Sequence, residues 1–428
     1  MNILVINTGS SSLKAALYAF EDQLTGDPSI PAWQAQVDWG YQLGQAQVEI
    51  HPSHGSKVQH ILDIPLPEPE PSSSAPPSIQ LTETIPLILA FLLQPTNLGI
   101  PIHGVGHRVV HGGSTYSSSV PVTPAVAAEI ERLSQFAPLH NPVNLAAIRA
   151  CQQLLGKGIP QIAVFDTAFH QQMPLAAKLY PVPYSWFEQG IQRYGFHGIS
   201  HRYCVERTAS LMETNLDSLK LIICHLGNGA SLAAITDGHS VDTTMGFTPL
   251  DGLMMGTRSG SLDPGILIHW QRQQGLGAEE WERLLNQESG LKGISGLSAD
   301  MRVIEGAMAA GNARAHLAFQ VYLHRLRQLL GSMLASLGGC DGLVFTAGIG
   351  EHSWRVRAAA CQPFGFLGWR VDDQLNKESS QGSLPQQDRN IASPDSRIPI
   401  WVIHTQENWA IAQECRKFLL ASNPSYPV

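Results

Sequence analysis

The stretch Asn2-Ile3-Leu4-Val5-Ile6-Asn7-Thr8-Gly9-Ser10-Ser11-Ser12-Leu13-Lys14-Ala15-Ala16-Leu17-Tyr18-Ala19 reads as strand, small polar turn, strand. Asn2–Ile6 is a short apolar run, Asn7–Ser12 is the turn, and Leu13–Ala19 resumes an apolar stretch. The pattern returns some two hundred residues later. Leu221–Cys224 is apolar, His225-Leu226-Gly227-Asn228-Gly229 is the turn, and Ala230–Ile235 resumes. A third variant runs from Gly342–Phe345 into Thr346-Ala347-Gly348-Ile349-Gly350-Glu351, read here as another turn. Small residues at a strand end let backbone N–H groups approach an anion without Cβ interference, which suits them to phosphate. Two related hairpins in separate halves predict a duplicated fold with a nucleotide between the halves.

The rest of the composition bounds that reading. A chain of 428 residues should form about two domains, since single cores seldom grow past ~250–300 residues. Hydrophobic content of 43% with 14% charged residues fits a globular protein with a large core. The net charge, 27 − 35 = −8, argues against nucleic acid or anionic membrane surfaces as partners. An anionic ligand would then need locally concentrated positive charge. The six cysteines (151, 204, 224, 340, 361, 415) are scattered without a CxxC, which predicts free thiols in a reducing compartment. No basic n-region precedes the first strand and no apolar run reaches ~18–20 residues, so a cytoplasmic protein without a spanning helix is expected.

Asp38–Ser78 carries the Pro-rich run Pro65–Pro77 and reads as a surface excursion without regular structure. Beyond it, helices and strands alternate: helix Leu81–Leu93, strand Gly104–Val110, helix Pro124–Phe136 capped by Thr123, and helix Asn141–Leu155 with Asn141 as its cap. Strand Gln161–Phe165, helices from Asp263-Pro264 and over Glu279–Asn286, strand Ile398–His404 and helix Glu407–Ala421 follow. Asn312–Leu337 has Leu317, Val321, Leu326, Leu330, Met333 and Leu337 at helical spacing and predicts a core helix. The whole is α/β.

Several side chains in these turns carry chemistry. Arg108, in Gly106-His107-Arg108-Val109-Val110-His111-Gly112-Gly113, and Arg258, in Gly256-Thr257-Arg258-Ser259-Gly260, present planar forks suited to carboxylate or phosphate. Asp166 follows a strand end, where α/β sheets often place chemistry. A helix cap is the competing reading. His197 and His201 have the HxxxH spacing of a metal pair. Gly198 between them and the lack of a third ligand argue against zinc.

Taken in order, ten segments resemble the acetokinase family of the actin-like ATPase superfamily: Asn7–Lys14, Gly106–Gly113, Ala137–Pro142, Phe165–His170, Tyr194–His201, His225–Gly229, Asp251–Pro264, Ser298–Arg302, Thr346–Glu351 and Thr405–Ala412. They cover nearly all of the chain apart from roughly residues 21–80. The resemblance implies two actin-like (ribonuclease H-like) domains, each a mixed sheet flanked by helices, around an interdomain cleft. The first would comprise residues 1–170 and 405–428, with a Pro-rich insert at about 38–78. The second would span 171–404, bind nucleotide and form a homodimer. The implied reaction is reversible, direct in-line phosphoryl transfer from ATP to acetate, giving acetyl phosphate and ADP, with Mg2+ or Mn2+. Residue by residue, the resemblance assigns Asn7 and Glu407 to the metal, and Asp166, His197 and Arg258 to catalysis. Arg108, Val110, Leu139, Phe196 and Pro249 are assigned to the carboxylate and its alkyl group. Lys14, His225, Leu226, Gly227, Asn228, Gly229, Asp300, Met301, Arg302, Gly348, Ile349, Gly350, Glu351 and His352 are assigned to the nucleotide. A carboxylate nucleophile is already ionised, so Asp166 is read as orienting Arg or metal-bound groups rather than accepting a proton.

Three positions depart from the family pattern: Gln406 and Asn408 around Glu407, His352 after Glu351, and Ser261 in place of an Asp. Three rival readings are a propionate or butyrate kinase, an actin-like ATPase whose cycle drives protein binding, and an inactive nucleotide sensor. The two arginines and the apolar pocket set oppose the ATPase reading. The departures motivate the sensor.

Overall fold

A computed structural model describes residues 1–9, 12–20, 27–42, 45–52, 56–63, 77–94, 98–380 and 387–422. The chain divides into two compact units, Met1–Ala168 with Gln406–Val428, and Phe169–Thr405.

In the first unit the described strands are β1 (Asn2–Thr8), β2 (Ser12–Ala19), β3 (Trp33–Gln42), β4 (Gln45–Pro52), β5 (Val58–Asp63), β6 (Gly104–Val109), β7 (Val120–Pro121) and β8 (Gln161–Phe165). They form one sheet in the order β5-β4-β3-β2-β1-β6-β8-β7. Strands β5 to β1 are antiparallel neighbours, and β1–β6 and β6–β8 are parallel. In the second unit β9 (Lys220–Leu226), β10 (Ala230–Thr236), β11 (His239–Thr243), β12 (Gly342–Thr346), β13 (Arg389–Asn390) and β14 (Ile400–Val402) are ordered β11-β10-β9-β12-β14-β13. Here too the meander β11-β10-β9 is antiparallel and β9–β12 and β12–β14 are parallel. The order β3-β2-β1-β6-β8 thus matches β11-β10-β9-β12-β14 strand for strand, each with a short antiparallel edge strand beyond it. The duplication suggested by the two hairpins extends to the whole second sheet and to all of the first but β4 and β5.

The inner strands β1, β9 and β12 are buried on both faces and carry apolar runs along their middles, with polar residues at their ends, as strands covered by helices do. The C-terminal helix Glu407–Ser422 lies on β1 and β6, and Gly104 and Gly106 make room for it. A Cβ at Gly104 would stand 2.6 Å from Leu419, and one at Gly106 would stand 2.7 Å from Ile411. Trp409 of the same helix packs its ring against Tyr18 and Phe20, with centroids 5.4 and 5.1 Å apart.

Four expectations need correction. Much of 38–78 is structured. Strands β4, β5 and the end of β3 occupy it, and Gln45–Ile50 alternates half-buried polar with buried apolar side chains, the mark of a strand with one face on the core. The Pro-rich run 65–76 lies outside the described residues, as do Ser10 and Ser11 of the first turn. Thr346–Glu351 is not an open turn: the strand runs directly into a short helix, Ala347–His352. Asn141 does not cap its helix. His140 occupies that position, and the buried Asn141 side chain bonds elsewhere. The long helix Ala313–Leu337, capped by Asn312 at 2.9 Å, buries Ala315, Ala318, Phe319, Tyr322, Leu323, Leu326, Leu330, Met333 and Leu337. Leu317 faces outward at 50% exposure, because in the first turns the core stripe is supplied by Ala315, Ala318, Phe319 and Tyr322.

Of the six cysteines, all are free and all but Cys340 are buried. Among the described residues, no helix is long and apolar enough to cross a membrane.

Candidate functional site

The residues singled out by sequence fall into two clusters, one per unit. In the first unit, Arg108 sits near the end of β6 and Asp166 just past β8. Arg108 donates to Asp166 Oδ2 through Nε at 2.9 Å and Nη2 at 2.5 Å, and to Asn7 Oδ1 through Nη1 at 3.2 Å. Asp166 is almost wholly buried, so this pair is sheltered from solvent. Burial alone would lower the Arg108 pKa. The charges of Asp166 and then Glu407 outweigh it and hold the guanidinium charged above its ordinary value. Asn7 turns its amide to the start of the C-terminal helix, donating to Glu407 Oε2 at 3.3 Å and Asn408 Oδ1 at 3.2 Å. The departure at Asn408 therefore keeps an acceptor for Asn7 while removing a charge. Lys14 is exposed on β2 and pairs in register with Asn7. Val110 is buried and Leu139 half-buried.

Asn144, which sequence reasoning did not assign, and Asn141, which it read as a helix cap, hold this cluster's backbone. Asn144 donates to the Thr8 carbonyl at 3.1 Å and Thr8 Oγ1 at 2.5 Å, while its oxygen accepts from Val110 N at 3.1 Å. It ties the end of β1 to the loop after β6. Asn141 exchanges hydrogen bonds with the His111 backbone at 3.0 Å in each direction. The sequence signal was two Asn three apart in the mainly apolar first half of a helix.

A magnesium ion needs oxygen donors, usually one or two carboxylates completed by substrate phosphates and water. Among the described residues no group of three or more His, Cys, Asp or Glu is suited to hold a metal. The hard oxygen donors of Asn7 and Glu407 are what a partly hydrated, phosphate-shared Mg2+ takes, and they do not suit a closed zinc cage.

In the second unit the turn Gly227–Gly229 is the point of convergence. A Cβ at Gly229 would stand 3.2 Å from His197 Nε2 and 3.3 Å from Arg258 Nη1, so both side chains crowd its bare Cα. A Cβ at Gly256, in the loop bearing Arg258, would meet Asn228 Oδ1 at 2.5 Å and the Ala299 carbonyl at 3.1 Å. One at Gly227 would lie 3.5 Å from Ala347. These contacts bring together the β9–β10 turn, the Arg258 loop, the 298–302 segment and the start of the Ala347–His352 helix. Arg258 Nη1 donates to the Pro249 carbonyl at 3.3 Å. Phe196 is buried, and its carbonyl is 3.0 Å from His170 Nε2.

His197 is the residue before the helix Gly198–Leu211 and adopts φ 57°, a left-handed conformation uncommon outside glycine. Its ring stacks on His225, with centroids 4.2 Å apart, and its Nδ1 lies 2.9 Å from Ser231 Oγ. The HxxxH spacing serves the same hydroxyl, since His201 Nε2 is 2.7 Å from Ser231 Oγ. His225 Nδ1 bonds Ser200 Oγ at 2.8 Å, which in turn meets Thr405 Oγ1 at 2.9 Å.

Asp300 accepts from Arg302 N at 2.8 Å as a helix cap and pairs with the exposed Arg302 side chain, while Met301 is buried between them in sequence. His352 is exposed at the end of the short helix, and Gly348, Ile349 and Gly350 lie within it. Glu351 is turned inward. It accepts from Ala347 N at 2.8 Å and Thr405 N at 3.1 Å and contacts His404 Nδ1 at 2.5 Å. Burial would raise its pKa, but the His404 hydrogen bond and charge and the two amides bring it below its ordinary value. Arg357, fully buried, donates to the Gly350 and Glu351 carbonyls at 2.7 Å each and clamps the helix from beneath. Ser261 donates to Asp251 Oδ1 at 2.6 Å and accepts from Gly252 N at 3.0 Å, so the departure there makes a hydrogen bond where a second carboxylate would repel.

Two mixed sheets of one topology, each presenting charged and small residues at the same strand ends, define a duplicated α/β protein built to handle phosphate. The chain belongs to the acetokinase family, whose model matches residues 2–413. An acetate kinase of Cyanothece sp. is 50% identical over 99% of this chain and 100% of its own length, and one of Synechococcus sp. is 52% identical over 98% and 99%. The acetate kinase structure of Porphyromonas gingivalis superposes with a TM-score of 0.83 at 37% identity, covering 98% of this chain and 99% of that one. A propionate kinase structure from Francisella tularensis subsp. tularensis gives 0.83 at 36%, covering 97% and 99%.

Proposed function

We propose that the chain transfers the γ-phosphoryl group of ATP to acetate, reversibly and in line, giving acetyl phosphate and ADP. The observation that carries this reading is the convergence of His197 and Arg258 on the glycine turn between β9 and β10. Family membership adds support. An acetate oxygen bonds to the γ-phosphorus as the bond to the β–γ bridging oxygen breaks, and no proton need leave the nucleophile. Catalysis is then positioning plus positive charge around the equatorial oxygens.

The chain's own residues divide that work. Arg108 binds the acetate carboxylate, and Asp166 orients Arg108 through two of its nitrogens. Arg258 and His197 Nε2 donate to the transferring group. The turns at 225–229, 300–302 and 348–352, with Lys14, bind the nucleotide. Val110, Leu139, Phe196 and Pro249 line the alkyl site. Asn7 and Glu407 would hold Mg2+, which supplies charge neutralisation of the phosphates when bound.

The test is a hydroxamate-trapping assay with acetate, ATP and Mg2+. Acetate-dependent acyl phosphate is expected, and ATP turnover indifferent to acetate would sink the reading. Propionate is the second candidate, favoured by the propionate kinase relative, because one methylene discriminates by only ~1–3 kcal/mol. Leu139 and the buried Phe196 favour acetate. A higher kcat/KM for propionate than for acetate would reverse the order. The reading also includes a cytoplasmic homodimer packed through the second unit, supported by exposed Tyr184, Trp186, Ile266, Ile268 and Trp270 there. Sedimentation velocity tests it.

A further inference from the structure

His197 and His201 lie one helical turn apart and both aim at Ser231 Oγ, from 2.9 and 2.7 Å. Ser231 and His201 are completely buried, and His201 Nδ1 has no hydrogen-bond partner. A serine hydroxyl carries one proton and two lone pairs, and the buried Ser231 Oγ bonds these two rings; accepting from both would leave its own O–H without an acceptor, so it donates to one ring and accepts from the other. Two arrangements satisfy that rule. In the first, His201 Nε2–H donates to Ser231, Ser231 donates to His197 Nδ1, and the His197 proton sits on Nε2. In the second, the chain runs backwards: His197 Nδ1–H donates to Ser231 and Ser231 donates to His201 Nε2. The His201 proton is then on Nδ1, a buried N–H with no acceptor. An orphaned buried N–H is among the rarest features of folded proteins, so the first arrangement is preferred.

The geometry points to Ser231 and His201 as positioning residues that fix the tautomer of His197, keeping its proton on Nε2, the nitrogen beside Arg258 at Gly229. This rests on the proposed function, in which His197 Nε2 donates to the transferring phosphoryl group. A consequence concerns charge. An imidazolium at His197 would donate from Nδ1 as well, leaving either the Ser231 O–H or the His201 Nδ1–H buried without an acceptor. The relay therefore opposes protonation of His197. The groups against these rings include a cation and other imidazoles. Arg258 is positive beside Nε2, and His225 is stacked on the His197 ring. His170 lies edge-on to His201 with centroids 5.6 Å apart. Burial, then the nearby His170 and His225, keeps His201 itself neutral. His197 is thus a neutral donor of fixed direction, pre-set before substrate arrives.

The experiment is nitrogen NMR of the histidine rings in the full-length protein without substrates, with His197 assigned by its absence from His197→Gln. The expected result is a bare, acceptor-type Nδ1 and a protonated Nε2 at His197, unchanged as pH falls through ~6.5, the ordinary His value. In Ser231→Ala the Nδ1 nitrogen should take up a proton at a higher pH than in the wild-type protein, and kcat should fall about tenfold with both KM values within about twofold. His201→Gln, whose amide can replace the Nε2–H donor, should stay within about threefold of wild-type kcat, while His201→Leu should match Ser231→Ala. A proton on Nδ1 of His197 in the wild-type protein, or ordinary titration there, overturns the inference even if the variants do not fold. Failure to make acetyl phosphate would remove the proposed function but leave the ring's tautomer readable, so the two failures are distinguishable.

Discussion

At the end of β1 the first unit gathers two carboxylates, two amides and an arginine, Asp166, Glu407, Asn7, Asn408 and Arg108. At the equivalent end of β9 the second gathers imidazoles, hydroxyls and an arginine, His197, His225, Ser231, Ser200 and Arg258. The strand order is the same and the chemistry has diverged. Acidic oxygens suit a cation and an arginine that must be aimed. One arginine among uncharged donors around bare glycine backbone suits a phosphate. A duplicated scaffold thus offers two equivalent positions, and the side chains decide which charge each one takes.

The comparison can be broken at its most charged point first. Asp166→Asn leaves the sheltered Arg108 without its counter-charge, and we expect a loss of about 3 kcal/mol in denaturant unfolding together with a loss of turnover of 10²-fold or more. Near wild-type turnover with unchanged magnesium dependence would remove Asp166 from its orienting role. In the second unit, His197→Ala deletes a donor without stranding a charge. We expect kcat down about 10²-fold, KM values little changed and normal unfolding, and a stability loss matching that of Asp166→Asn would erase the contrast.

Acid should affect both units through the same physics. Burial brings His107 and His111 in the first unit, and His170 in the second, down to about 4. Their folded values lie below the unfolded ~6.5, so the unfolded chain binds more protons between the two. Stability is therefore complete above ~6.5 and is lost as pH falls towards 4. Denaturation midpoints that stay level across that window would contradict the burial of these rings.

A smaller effect is expected from Gly229→Ala, whose methyl group must displace His197 and Arg258 by a few tenths of an ångström. About a tenfold drop in kcat with unchanged nucleotide affinity would sharpen the assignment of the turn to the transferring group. Least of all, Ser261→Asp replaces a hydrogen bond to Asp251 by partly exposed repulsion. We expect kcat within about threefold and stability within about 0.5 kcal/mol.

The sequence made the hairpins and parallel strands legible because their apolar runs are bounded by Gly, Asn and Ser, whose backbone and capping preferences are local. It concealed β4 and β5 only because prolines nearby dominated the composition of the window, although Gln45–Ile50 alternates plainly. The long helix was legible but its buried face was not. Ala315 and Ala318 face inward where leucine counting placed Leu317, since which face is buried depends on the partner rather than on the helix. The short helix Ala347–His352 depends on Glu351 meeting Ala347, His404 and Thr405, contacts that no local pattern encodes. In the site, Arg108, His197 and Arg258 stood out as charged or titratable groups beside glycines, and Asp166 by following a strand end. Asn144 and Ser231, which hold them, are ordinary polar residues whose meaning comes only from burial.

The first unit is discontinuous, and this has a consequence for how the protein is made. Residues 169–405 are contiguous, so the second unit can assemble as soon as they leave the ribosome. The first cannot: β6 keeps a bare glycine face at Gly104 and Gly106 until Leu419 and Ile411 arrive to cover it. Glu407 arrives on the same helix. A nascent chain therefore holds its earliest-made sheet open longest, and the carboxylate assigned to the metal is delivered by the segment that closes it.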